Sequence, residues 1–131
     1  MRLLLDTHVW LHSLVDPARL GRRARAALRG AGNELWVSPI SVWELLLLAE
    51  RGRVRLDDEP QRWMAAALAS SPVQEAVLTF QVAARSREIM PAHPDPVDRF
   101  LVATALVYGL TLVTADDALI EARLCPVLAS R

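Results

Sequence analysis

Four carboxylates stand beside apolar stretches although they are far apart in the sequence: Asp6, Glu44, Asp98 and Asp116. If they meet in space, their charges repel strongly unless they are protonated or neutralised by a cation. Clustered carboxylate oxygens are hard ligands that suit Mg²⁺ or Mn²⁺. The four positions therefore suggest a single divalent-metal site, and the elements around them decide whether they can meet.

Those elements follow a regular order. Short apolar strands alternate with helices, which is typical of a parallel sheet covered by helices on both faces. Strands are predicted at 3–5, 35–37, 73–78, 111–113 and 126–128, and helices at 9–15, 21–30, 41–51, 60–69 (or from 59), 81–89, 97–108 and 117–121. Asp6 and Asp116 follow strands, and ligands bind at the carboxyl ends of parallel strands. Glu44 and Asp98 are predicted in the first turns of helices, which start at the same edge.

Each acid also has a local interpretation as a helix cap. Ser41 and Glu44 have the spacing of a capping box, in which the Glu side chain returns to the N–H of the cap residue. Asp95 and Asp116 can each cap the helix that follows, and either Asp6 or Thr7 can cap the first helix. Carboxylates near helix N-termini are stabilised by about 0.3–1 kcal/mol each. The two roles are compatible, and the four acids together favour one site.

Composition narrows the class of protein. With 131 residues, of which 53% are hydrophobic, the chain is long enough for one domain with a sizeable core. No apolar run approaches a membrane span, Asp6 comes too early for a signal peptide, and Cys125 is the only cysteine. We therefore expect a cytoplasmic protein with no membrane partner. A net charge of zero excludes a strongly basic nucleic-acid-coating protein but allows a local basic face.

In four stretches, in this order and spacing, the sequence resembles the PIN-domain ribonucleases, specifically the VapC-type toxins of type II toxin–antitoxin pairs. The stretches are Leu-Leu-Leu-Asp6-Thr7-His8, Ser-Val-Trp43-Glu44-Leu, His93-Pro94-Asp95-Pro96-Val97-Asp98-Arg99 and Leu-Val-Thr114-Ala-Asp116. The resemblance covers nearly the whole chain. One departure is Leu48, where many close relatives carry a Lys, and it leaves the four acids intact.

The resemblance implies an α/β protein with a three-layer α/β/α PIN-like fold, a single domain over residues 1–131. A short central parallel sheet and a protruding helix pair belong to this fold. The implied activity is metal-dependent endonucleolytic cleavage of RNA by an activated water, carried out by a toxin that a cognate antitoxin neutralises. The resemblance also implies a homodimer.

The same resemblance assigns roles to individual residues. The catalytic acids are Asp6, Glu44, Asp98 and Asp116, with Asp6 and Asp98 as the direct ligands of Mg²⁺ or Mn²⁺. The supporting residues are Thr7, Asp95, Arg99, Thr114 and Asp117. Arg99 is placed to bind the scissile phosphate, and its alternative role is a surface salt bridge.

A second group of residues points to a protein partner. Trp43, Leu46 and Trp63 lie on the predicted helix pair 41–69, whose apolar residues need cover on every side. A partner helix laid along this pair would supply that cover, and Trp is common at binding hot spots. An ordinary core is the alternative.

Two other functions stay open. In a non-catalytic protein-binding module, the acids would be helix caps only. In an aspartyl-nucleophile phosphohydrolase, Asp6 would attack phosphate, but that class has a second Asp where this chain has His8. His8 and His12 have the i, i+4 spacing of two metal ligands, yet no HExxH motif contains them, so we expect them to be solvated or capping residues.

Overall fold

The computed structural model describes residues 1–89 and 95–131. Its five strands form one parallel sheet in the order β3-β2-β1-β4-β5. The strands are β1 Arg2–Leu5, β2 Glu34–Val37, β3 Val73–Glu75, β4 Thr111–Thr114 and β5 Val127–Ala129. Since β1 and β4 are neighbours, the residues that follow them meet at the carboxyl edge of the sheet.

Helices cover both faces of this sheet. They are α1 Thr7–Val15, α2 Arg22–Arg29, α3 Pro39–Glu50, α4 Pro60–Ser70, α5 Phe80–Glu88, α6 Pro96–Tyr108 and α7 Asp117–Ala122, with a short 3-10 helix at Pro17–Arg19. Leu3 and Leu5 belong to the core beneath α1 to α4, while Leu4 belongs to the core beneath α5 to α7. This alternation is the period of two of a strand buried on both faces. The three-layer α/β/α architecture is confirmed.

Helices α1 and α3 each begin two residues earlier than predicted, and capping explains both differences. Helix α1 starts at Thr7 instead of residue 9, because the Asp6 side chain caps it. Helix α3 starts at Pro39 instead of Ser41, because Ser38 accepts a hydrogen bond from the N–H of Ile40, and proline suits the first helical position. The predicted capping box of Ser41 and Glu44 is therefore wrong, and Glu44 lies in the second turn of α3 instead of the first.

Smaller differences occur elsewhere. Strand β3 ends at Glu75, three residues short of the prediction, and β5 is shifted by one residue. Helix α6 ends at Gly109, whose φ of 66° is the left-handed conformation that glycine adopts without steric cost. Most of the loop predicted at 91–96, including His93, lies outside the described residues. No helix in the two described ranges is long and apolar enough to span a bilayer.

Candidate functional site

A cavity of about 310 Å³ opens at the carboxyl edge of the sheet, and acidic side chains dominate its wall. Its lining residues are Asp6, His8, Glu44, Asp95, Asp98, Ala115 and Asp116. Strands β1 and β4 deliver two of the acids, and helices α3 and α6 deliver the others. The four acids singled out in the sequence thus share one cavity, together with Asp95.

Asp6 is held by hydrogen bonds to both of its carboxylate oxygens. The backbone N–H of Thr7 donates to Oδ1 at 2.7 Å, and the hydroxyl of Thr114 donates to Oδ2 at 2.6 Å. Burial raises the pKa of Asp6, and these two hydrogen bonds offset part of that rise. Each oxygen keeps a further lone pair, so Asp6 can still coordinate a cation.

Thr114 connects the ends of the two central strands. Its fully buried hydroxyl donates to Asp6 and accepts from the backbone N–H of Asp116 at 3.0 Å. Asp116 caps α7 by accepting from the N–H groups of Ala118 and Leu119. The positions of Asp6 and Asp116 are therefore linked through one hydroxyl group.

Glu44 faces the cavity from α3 beside a pair of buried hydroxyls. The Thr7 and Ser41 hydroxyls hydrogen-bond to one another at 3.0 Å. Burial raises the pKa of Glu44, a hydrogen bond from the Thr7 side chain lowers it, and the nearby charges of Asp6 and Asp95 raise it. A carboxylate whose pKa is raised is a stronger base than an ordinary Glu.

The two acids of α6 differ in their surroundings. Asp95 is exposed and caps the helix, accepting from the N–H of Val97 at 2.9 Å. Asp98, in the first turn, is only 8% exposed. The two acids of α6 therefore reach the cavity from different environments, one exposed at the helix cap and one buried in the first turn.

The donor set fits a hard divalent ion, because every lining acid offers carboxylate oxygens. In residues 1–89 and 95–131, no three His, Cys, Asp or Glu side chains stand close enough together to form a ready-made metal site. The acids line the walls of the cavity instead of converging on a point. Coordination by Asp6 and Asp98 would therefore require side-chain rotation or ligands besides the protein.

Several predicted supporting residues lie away from the cavity. Asp117 is exposed and pairs with the guanidinium of Arg131 at 2.5 Å. Arg99 donates from one guanidinium nitrogen to the carbonyl of Ile89 at 3.1 Å, and it is not among the residues that line the cavity. Both roles therefore lack support from this geometry.

Sequence reasoning missed two residues of the site. His8 lines the cavity from the first turn of α1, although it was expected to be a solvated or capping residue. Ser41 supports Thr7 through its buried hydroxyl, although it was expected to cap α3. For His8, its position two residues after Asp6 was a signal in the sequence. For Ser41, no local sequence pattern indicated its hydrogen bond to Thr7.

The three residues predicted to bind a partner differ in exposure. Trp43 is 55% exposed on α3, whereas Leu46 and Trp63 are partly buried against the core. A groove of about 390 Å³ runs between α3, α4 and β3, with Val42 and the 43%-exposed Leu68 in its wall. Trp43 and Leu68 are therefore the large apolar side chains of the helix pair that remain most open to solvent.

Comparison with known sequences supports the resemblance. The PIN domain family profile matches residues 3–123. Ribonuclease VapC22 of Mycobacterium tuberculosis (strain ATCC 25618 / H37Rv) is 36% identical over 118 residues, which span 89% of this chain and 88% of that protein.

Comparison with solved structures agrees on the fold. The chain matches VapBC2 from Rickettsia felis, bound to a DNA fragment from their promoter, with a TM-score of 0.73, 14% identity and complete coverage of both chains. It matches the DNA-bound VapBC from Salmonella typhimurium with a TM-score of 0.68, 18% identity and 98% coverage of both chains. At these identities the likeness shows the shared fold alone.

Proposed function

Because the chain belongs to the PIN-domain family, and within it to the VapC proteins, we propose that it is a metal-dependent endoribonuclease that acts as a toxin. The observation that carries the proposal is the cavity at the carboxyl edge of the sheet, whose wall holds five carboxylates. The relative VapC22 is named a ribonuclease, which supports RNA as the substrate.

Capping alone does not explain the acids, which argues against the non-catalytic module. Asp6, Asp95 and Asp116 do cap helices. Glu44 lies in the second turn of α3, and Asp98 lies in the first turn of α6 without being its cap. Capping therefore does not account for the presence of these two acids in the same cavity, whereas binding of a cation or a reacting water gives both a function.

Different residues of the cavity would bind the metal, orient its ligands and accept a proton. Asp6 and Asp98 would hold Mg²⁺ or Mn²⁺, which when bound supplies charge neutralisation at the phosphate and an activated water. Thr114 and the N–H of Thr7 fix the orientation of the Asp6 carboxylate. Glu44, whose pKa is raised by burial, is suited to accept a proton from the attacking water.

The other polar groups of the cavity wall are available to contact the RNA substrate. Asp116 is fixed by the Thr114 hydroxyl and by two N–H groups of α7, so it faces the cavity with little freedom. His8 is the lining residue whose ring N–H can donate a hydrogen bond to a phosphate oxygen. The cytoplasmic location expected from the sequence is part of the proposal, because the substrate is RNA.

A cleavage assay tests this function directly. Purified protein is incubated with structured RNAs in Mg²⁺, in Mn²⁺ or in EDTA, beside an Asp6→Asn variant. We expect endonucleolytic fragments with either ion, and none with EDTA or with the variant. Cleavage that persists in EDTA, or in purified Asp6→Asn, would contradict the proposal.

We also propose that a small antitoxin protein lies along helices α3 and α4. Several structural neighbours are toxin–antitoxin complexes, and the groove beside exposed Trp43 and Leu68 suits the apolar face of a helix. Trp43→Ala should weaken inhibition by the protein encoded next to this one. Cleavage without inhibitor should persist, because Trp43 does not line the cavity. Leu46→Glu and Trp63→Ala are less suitable, because both side chains pack against the core.

A homodimer completes the proposal. Phe80 is 97% exposed at the start of α5, and Val77 beside it is 48% exposed. Exposed apolar neighbours of this kind mark interaction surfaces, and symmetric pairs are the commonest oligomers. Sedimentation at tens of micromolar (~10–50 µM) is expected to show a dimer, and Phe80→Ser should shift it toward monomer.

A further inference from the structure

Five arginines are concentrated on helix α2 and the 3-10 helix before it. Arg19, Arg22, Arg23, Arg25 and Arg29, here called the arginine surface, account for five of the 15 basic residues of the chain. No acidic residue occurs between 17 and 33. Because the net charge of the whole chain is zero, the rest of the molecule carries a formal charge of −5, that is, 10 basic against 15 acidic residues.

Neither core packing nor ion pairing within the described residues accounts for the arginine surface. Ala24, Ala27 and Leu28 face the core, while Arg22, Arg23 and Arg29 are exposed. None of the five arginines forms an ion pair with a carboxylate among the residues that the structure describes. These charges are therefore free to meet an external anion.

Local energetics disfavour this arrangement. Arg22 and Arg23 occupy the first turn of α2, where the helix dipole disfavours cations, and no acid is present there. Arg25 and Arg29 are like charges one turn apart, which is also unfavourable. Both the unfavourable dipole interaction and the like-charge repulsion lower stability. Arginines at these positions are therefore consistent with a functional role.

The N-terminal end of α2 lies at the same edge of the sheet as the acidic cavity. The N–H of Gly21, the cap residue of α2, donates to the Ser130 hydroxyl at 3.1 Å. Ser130 follows β5, and its N–H donates to the carbonyl of Thr114 at 2.8 Å. Thr114 in turn hydrogen-bonds Asp6. Three consecutive contacts therefore connect the start of the arginine surface with the acids.

The exposed side of α1 provides a second connection. His8 lines the cavity, and its ring centroid lies 6.2 Å from that of His12, one turn further along. Burial lowers the pKa of His12, and the positive charges of Arg19 and His8 lower it further, so both lie near it. His8 and His12 therefore lie in the direction from the cavity to Arg19, with Asp16 also close to His12.

The cavity cannot attract RNA by itself. It is lined by five acids and no arginine among the described residues, so the phosphate backbone would be repelled from it. A second exposed arginine group, at residues 51–55, is followed by three consecutive acids at 57–59, and the exposed Arg85 and Arg87 of α5 are followed by Glu88. The arginine surface is therefore the part of the chain best suited to bind phosphates.

We propose that the arginine surface binds the phosphate backbone of the RNA substrate while another segment of the same RNA lies at the acidic cavity. This inference rests on the proposed ribonuclease function, which it deepens by naming where the substrate is held. The contacts are to backbone phosphates, so they add affinity without base specificity.

Binding in EDTA tests this surface separately from catalysis. A fluorescein-labelled RNA stem-loop is titrated with wild-type protein and with Arg22→Gln/Arg23→Gln/Arg29→Gln at several salt concentrations. Each lost phosphate contact lowers the slope of log affinity against log salt by about 0.7–0.9, so the triple variant should lower it by roughly two. The three side chains are exposed, and thermal unfolding verifies that the variant folds.

Two further variants make the result specific. Arg51→Gln/Arg53→Gln/Arg55→Gln removes the same charge elsewhere and should bind RNA as the wild type does. Arg22→Lys/Arg23→Lys/Arg29→Lys keeps the charge and should retain the salt slope. An unchanged slope in the first variant, an equal loss in the 51–55 variant, or no RNA binding by the wild type would overturn the inference. RNA cleavage by the wild type with Mg²⁺ is measured in parallel, so that failure of the enzyme and failure of the surface are distinguished.

Discussion

The acidic cavity and the arginine surface each concentrate charge of one sign, but they do so in opposite ways. The cavity keeps Asp6, Glu44 and Asp98 partly or fully buried, and Thr114 and the N–H of Thr7 donate hydrogen bonds to Asp6. The arginine surface keeps its charges in water and supplies no partners. Buried charge must be supported by tertiary contacts, whereas exposed charge needs only a helix to display it.

The acidic cavity and the arginine surface also differ in how their charges interact with helix dipoles. Helices α1, α6 and α7 direct their N-termini toward the cavity and are capped by Asp6, Asp95 and Asp116, so the dipoles partly offset the negative charge. Helix α2 presents arginines at its own N-terminus, where the dipole opposes them. The charges at the cavity therefore match the preference of helix N-termini for acids, whereas the arginines in the first turn of α2 oppose it.

The largest expected effect comes from removing an acid of the cavity. Asp98→Asn or Asp6→Asn keeps the side-chain shape but removes ligand charge. RNA cleavage should fall by more than about 100-fold, since even residues that only support a metal ligand cost about 10–100-fold when changed. Single-turnover cleavage in Mg²⁺ measures this.

The matched control for those variants is Asp117→Asn, one residue after Asp116 but paired with Arg131 away from the cavity. It should retain cleavage within a few-fold. A loss as large as that of Asp98→Asn would place Asp117 in the reaction and contradict the geometry.

The next effect tests the hydroxyl that joins β1 to β4. Thr114→Val removes the donor to Asp6 and the acceptor for the N–H of Asp116. Cleavage should fall by about 10–100-fold, and unfolding free energy by about 1–3 kcal/mol because a buried donor loses its partner. Thr114→Ser keeps the hydroxyl and should restore most of both. Equal activity of the Val and Ser variants would show that the hydroxyl does not position the acids.

A smaller effect concerns pH and metal. Burial raises the pKa of Asp6 and Glu44 above their ordinary values of 3.8 and 4.5, so the folded state binds these protons more tightly than the unfolded state. Their contribution to metal-free stability is therefore most favourable at low pH and is lost as pH rises through the raised pKa values. In EDTA, the Tm of Asp6→Asn relative to wild type should increase with pH.

Metal binding should have the opposite pH dependence, because it needs ionised carboxylates. The rise in Tm caused by millimolar Mg²⁺ should be larger at about pH 8 than at about pH 5. Asp6→Asn should remove most of that rise. A wild-type Tm that does not respond to Mg²⁺ or Mn²⁺ at either pH would mean that the cavity acids hold no cation.

The smallest effect separates stability from function at the arginine surface. Arg22→Glu/Arg23→Glu places favourable charges in the first turn of α2 and should raise Tm by roughly 2–5 °C. Arg29→Glu, at the C-terminal end, should not stabilise. If the double variant is less stable than wild type, Arg22 and Arg23 stabilise the fold. The inference that they destabilise α2 would then be wrong.

Local sequence signals predicted the helices and strands well where caps and apolar runs were unambiguous. Asp116 and Asp95 were predicted as caps and are caps, and Gly109 ends α6 as expected. The capping box at Ser41 failed because Ser38 and Pro39 provide a stronger N-terminus two residues earlier. Two competing cap signals within four residues cannot be ranked without knowing where β2 ends.

The sequence by itself determined the ends of β1 and β2, the acid types and the arginine run, because these depend on neighbours along the chain. It also indicated that Asp6 and Asp116 share an edge, since parallel strands place their carboxyl ends together. Only the tertiary structure decided which other groups join them. The pairing of Thr7 with Ser41, the inclusion of His8 in the cavity and the turn of Asp117 toward Arg131 depend on how helices pack across the sheet. Packing of that kind is set by contacts between residues distant in sequence, which no local pattern encodes.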